Sequence, residues 1–185
     1  GLVSTDGEAS TNGAEAATSD DTTGRDDEDG ITFTTPYAGN AVYAGGQMTI
    51  TARVTNLSGV PAYLNLWIDW DISGSPVDAG EKVINNVLIE DGTDGVNQTF
   101  TITVPQTAGM VSFARRVRAR MTSINNVALT ATGASGGFGE VEDYSLYVNV
   151  PTLDYGDHVF SATSSASQTA HGAIRIGTAA TDGDA

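Results

Sequence analysis

Three acidic strings in this chain place oxygen ligands at spacings that suit a hard cation. In "DWDISGSPVDAGE", Asp69, Asp71 and Ser73 stand at alternate positions and Gly74 follows, with Asp78 and Glu81 downstream. Ca2+ takes about six to eight oxygens, and alternate oxygen side chains followed by a Gly turn let a short loop wrap one. Ser73 stands where Asp or Asn is usual, and Glu81 falls one residue past the closing position of that loop. The pattern therefore predicts a strand-to-loop calcium site, not the paired helices of an EF-hand. The competing reading is a hairpin turn with solvated acids. In "GRDDEDGITF", Asp26, Asp27, Glu28 and Asp29 lie at the entrance of a strand that begins at Ile31. That run reads either as a second cation site or as a solvated acidic linker.

The third string is "GFGEVEDYSLYVNV". Period-two alternation sets Glu140, Glu142 and Tyr144 on one side of a strand and Val141 and Asp143 on the other. Carboxylates at i and i+2 can share a cation. They can also face arginines, and "FARRVRARM" holds four of the eight basic residues, with Arg116, Arg118 and Arg120 on one face. The expected division gives Glu140 or Glu142 to arginine and Asp143, with a neighbour, to calcium.

Catalysis has no such support. The two histidines, His158 and His171, lie in a polar flank with no zinc spacing around them. No nucleophile elbow, phosphate loop or cysteine is present, so the chain does not read as an enzyme.

These strings hang on strands. "QMTITARVTN" turns Met48, Ile50, Ala52 and Val54 to one face, and "AYLNLWIDW" does the same with Leu64, Leu66, Ile68 and Trp70. "QTFTITV" and "DYSLYVNV" alternate likewise, and further strands are expected near 31–35, 82–90, 111–121 and 127–131. Turn signals such as "LSGVP" and "DGTDG" separate them, and no window carries a helical stripe. The fold class is all-β: an antiparallel β-sandwich over 31–150. It is flanked by polar, Gly/Ser/Thr/Asp-rich segments, an acidic one at 1–30 (linker or donor strand) and another at 151–185, where "HGAIRIG" could add one short strand. Trp67 and Tyr63 point away from Leu66 and Ile68, which makes them the candidate ligand-facing aromatics. Asn56 ("NLS") and Asn97 ("NQT") fit the acceptor pattern for N-glycosylation.

The 185 residues carry a net charge of −15, from 23 acids against eight bases. A nucleic-acid binder would need the opposite balance, and no apolar run approaches the ~20 residues of a membrane-inserting helix. The absence of cysteine fits a reducing compartment or a secreted protein held by calcium instead of disulfides. The scarcity of lysine favours the second.

Gly139, Glu140, Val141, Glu142, Asp143 and Tyr144 spell the signature of the GEVED domain, a module of large secreted and surface proteins of bacteria. The Trp-Asp loop "LWIDWDISGSPVDAGE" and the arginine strand "ARRVRAR" resemble that family too. "LDYGDHVF" with "TAHGAIRIG" resembles the element that opens a following repeat in such proteins, although "HVFSA" departs from the usual continuation. The resemblance implies an extracellular or bacterial cell-surface setting. The two ends of the chain also match: "GTAATDGDA" and "GLVSTDGEA" share Gly, Thr, Asp, Gly and Ala in register. The expected function is a structural, calcium-stabilised repeat or subunit joined head-to-tail to copies of itself, in a fibre or adhesin stalk. The alternative is an adhesin module that binds surface glycans.

Overall fold

The computed structural model describes residues 29–75, 78–109 and 114–149, together with strand backbone at 153–155 and 167–169. Two sheets pack face to face. One has three strands in the order β1-β3-β6: β1 (Ile31–Thr34), β3 (Gln47–Asn56) and β6 (Thr93–Thr103). The other has five, in the order β2-β8-β7-β4-β5: β2 (Val42–Tyr43), β8 (Gly139–Asn149), β7 (Ala114–Thr122), β4 (Ala62–Ile68) and β5 (Lys82–Ile89). The pairings are antiparallel except β2 with β8, a two-residue parallel contact at the sheet edge. A separate antiparallel pair joins β9 (Leu153–Tyr155) to β10 (Ser167–Thr169). Among the described residues, no helix is long and apolar enough to cross a membrane.

The alternation read from the sequence is what makes the core. Met48, Ile50, Ala52 and Val54 of β3 are buried, and Leu64, Leu66 and Ile68 of β4 meet them from the facing sheet. Val117 and Ala119 of β7 and Leu146 and Val148 of β8 complete that inner layer. Each such aliphatic side chain contributes about 1.5–3 kcal/mol on leaving water.

β4 departs from a one-faced strand, because its outer face is buried as well. The connection from Ser123 to Phe138 lies over it. Leu129 and Ala131 of that connection pack on Trp67, which is 2% exposed. The expected strand at 127–131 is therefore a covering loop, and the reason is where its backbone bonds go. Lys82 Nζ donates to the carbonyls of Val127 (3.1 Å) and Leu129 (3.0 Å). Arg120 donates to Thr130 (2.7 Å) and Arg118 to Ala131 (3.3 Å). Alternate apolar residues turn inward as in a strand, but cationic side chains take the place of a ladder partner.

Candidate metal centre and the signature strand

β4 ends at Ile68, and the chain then turns through Ile72 (φ 62°) and Gly74 (φ 78°) before returning to β5. This brings Asp69, Asp71 and Glu81 together: one carboxylate oxygen from each lies within 4.8 Å of the others. Ligand oxygens about 2.4 Å from one Ca2+ stand at most ~4.8 Å apart, so the set fits one ion. Asp69 and Glu81 are 1% and 2% exposed, and Asp71 is exposed.

Backbone N–H groups line the cage. Ser73 donates to Asp69 Oδ1 (3.0 Å) and Asp71 Oδ1 (2.9 Å), and Gly74 donates to Asp69 Oδ2 (2.9 Å). Trp70 and Asp78 donate to the two oxygens of Glu81, at 3.0 and 3.1 Å. The Ser73 bonds hold the Asp71 carboxyl below its ordinary range. Burial raises the Glu81 pKa, and the charges of Asp69 and Asp71 push it further in the same direction. Arg115, buried on the neighbouring β7 and donating to the Ala108 carbonyl, feels the same two charges; burial lowers its pKa and they oppose that. The cage orients three carboxylates but leaves their mutual repulsion, a few kcal/mol per close ionised pair at intermediate dielectric. A divalent cation would remove it.

Two other expected ligands sit elsewhere in the loop's network. The Ser73 hydroxyl donates to Asp78 Oδ2 at 3.2 Å, so that carboxylate is turned to Ser73. Asp26 and Asp27 lie outside the described residues.

On the strand carrying the signature, the acid expected to go to calcium is the one that meets arginine. Asp143 stands directly across from Arg118, and the guanidinium grips both of its oxygens, the Nε–Oδ1 bond being 2.6 Å. This pairing raises the Arg118 pKa and commits Asp143 to arginine, not calcium. Glu142 points to the inner side, where Tyr144 Oη donates to Oε2 at 2.7 Å. Tyr144 Oη accepts in turn from the N–H of Ile31 at 3.0 Å, and its ring meets Phe33 edge-on, with centroids 6.3 Å apart. A relay thus runs from the entrance of β1 to β8, tying one sheet to the other. Burial drives the Glu142 pKa up to about 7, and the charges of Glu140 and Asp29 add to the rise. Those three acids are near neighbours across the joint. Gly139 opens the strand because a β-carbon there would lie 1.9 Å from the Met121 carbonyl oxygen.

Residues 63–147 match the family model of the GEVED domain. The chain carries a GEVED domain. The match begins in β4 and ends in β8, so it takes in the acidic loop, the arginine strand and the signature, whereas β1 and β3 precede it. The GEVED domain here is therefore completed by strands outside the matched segment, whose buried residues face Leu64, Leu66 and Ile68. A search of curated proteins returned no match to the chain.

The remaining candidates divide. Trp67 is not presented to a ligand: it lies under Leu129 and Ala131, with Lys82 Nζ 5.0 Å from its ring centroid. Tyr63 is half-buried on the same face. Asn56 is 4% exposed and its amide donates to the carbonyls of Val60 and Ile89, so it is no acceptor for sugar while folded. Asn97 is exposed on β6. Sequence reading missed the work of Lys82, Arg118 and Arg120 on loop carbonyls. Its only signal was the clustering of half of the scarce basic residues at 115–120, on the strand just before that loop.

Proposed function

We propose that this chain is a structural, calcium-stabilised unit of an extracellular fibre or adhesin stalk, joined head-to-tail to copies of itself. The observation that carries the reading is the Asp69, Asp71 and Glu81 group, two of whose carboxylates are buried and held in a cage of N–H donors. Such a group suits a hard cation bound by oxygen, and it sits on the loop that turns β4 into β5. Filling it would stiffen one end of the sandwich without any chemistry. The likeness of residues 177–185 to residues 1–9 as a repeated string and the net charge of −15 support an array in a calcium-containing medium. The glycan-binding alternative loses its principal aromatic with the burial of Trp67.

Negative-stain electron microscopy of the whole chain, in about 2–5 mM calcium and then in excess chelator, tests the reading at the affinity range of extracellular modules. Filaments that come apart in chelator are expected. Compact particles in both conditions overturn the assembly, and calorimetry without a calcium-binding signal overturns the metal.

A further inference from the structure

The sandwich is closed along one side and open along the other. On the closed side, Ile31 and Phe33 of β1 meet Tyr144 of β8. On the open side lie β5 and β6, each pairing on one edge alone among the described residues. The inward row of β6 is Val96, Gln98, Phe100 and Ile102, opposite Val54, Ala52, Ile50 and Met48 of β3. The β3 residues are 0–5% exposed, yet Val96 is 46% exposed and Phe100 and Ile102 are only partly buried. Val83 and Val87 of β5, which pack against the same core, are also partly buried. Core-facing apolar residues thus line a seam between two free strand edges. Past Asp94, the β6 edge carries no charge and no proline from Gly95 to Thr103.

We propose that this seam receives a strand from a second copy of the chain, residues 172–177, which adds to the free edge of β6. The inference rests on the reading of the chain as self-assembling and names the joint. The segment reads "GAIRIG": Ile174 and Ile176 at i and i+2 turn to one face of a strand and fill the seam, with Arg175 between them. Six extended residues span about 20 Å, enough to run beside residues 97–102 of β6. Charge fits as well. The turn that joins β5 to β6 carries Glu90 and Asp91, Asp94 stands in the first residues of β6, and Arg175 is one of the chain's eight basic residues. The strand's ladder bonds satisfy the outward N–H and carbonyl groups of β6, and its isoleucines cover Phe100 and Ile102.

The test compares the full chain with Ile174→Asp/Ile176→Asp, whose changes fall outside the described residues. Hydrogen exchange across β6 and sedimentation velocity are measured over a hundredfold range of concentration, in millimolar calcium and in chelator. The wild-type chain is expected to assemble as concentration rises, with exchange at 97–103 slowed about tenfold. The double variant is expected to stay monomeric, with unprotected β6 and an unchanged melting temperature. Protection independent of concentration would mean that the chain's own tail fills the seam, and overturns the proposal. Assembly that leaves β6 unprotected overturns it too. Calcium-raised melting without assembly sinks the seam but leaves the metal reading intact; assembly equal in calcium and chelator does the reverse.

Discussion

The carboxylate of Glu142 occupies the space that a side chain at position 30 would need: a β-carbon on Gly30 would stand 2.8 Å from Glu142 Oε2. Gly30 leads into β1 of one sheet and Glu142 lies in β8 of the other, so this contact records how closely the entrance of β1 approaches β8. Gly30→Ala is expected to swing the carboxylate away from Tyr144 and lower stability by about 1 kcal/mol, the worth of one hydrogen bond. The loss stays small because the displaced atoms end a flexible side chain. Urea denaturation of the variant measures it.

The same joint sets a pH dependence. Glu142 has its pKa raised from 4.5 to about 7 by burial beside Glu140 and Asp29. Folding therefore takes up a proton between those values. The stability linked to it is fully present below the unfolded pKa and is lost as pH rises through the folded one. Melting temperature is expected to fall as pH is raised from about 5 to about 8, and Glu142→Gln should flatten most of that slope. A residual slope of the same sign is expected from Glu81, whose pKa burial also raises. Equal slopes in variant and parent would remove Glu142 from the account.

At the candidate metal centre, Asp69→Asn and Asp78→Asn should behave differently, because Asp69 belongs to the 4.8 Å group and Asp78 turns its carboxylate to Ser73. Calcium at about a hundred times its dissociation constant should stabilise the parent by roughly 2.7 kcal/mol. Differential scanning calorimetry with and without calcium is expected to show that gain in Asp78→Asn and its loss in Asp69→Asn.

Lys82→Met keeps the aliphatic stem over Trp67 but removes the ammonium that holds the carbonyls of Val127 and Leu129. The covering loop should loosen, at a stability loss of about 1–3 kcal/mol. Tryptophan emission should shift to the red and become more accessible to acrylamide. Trp70, buried in the main core, supplies the unshifted half of the signal.

Much of the sandwich was legible because strand periodicity is a local signal: Met48 to Val54 and Leu64 to Ile68 could be assigned from alternation alone. The acidic loop was legible for the same reason, since Asp69, Asp71 and Gly74 are neighbours in sequence. What could not be read was long-range partnering. Asp143 and Glu142 are adjacent, and which one meets arginine depends on which face of β8 turns toward the core. Trp67 looked exposed because nothing near it in sequence reveals that Leu129 and Ala131 arrive from sixty residues away. The false strand at 127–131 shared its apolar alternation with real ones, and only the side-chain donors beneath it mark the difference.

Those donors also decide where this fold can be lengthened. Lys82, Arg118 and Arg120 hold the covering loop no further along than Ala131. Beyond it, Gly133 and Gly136 adopt positive φ with open space around them, and the ladder resumes at Gly139. The bow between Ala131 and Phe138 bears no register and no core. A foreign peptide spliced there would be displayed on the flat of the five-stranded sheet, beside the Arg118 and Asp143 pair, and the domain beneath would fold without reading it.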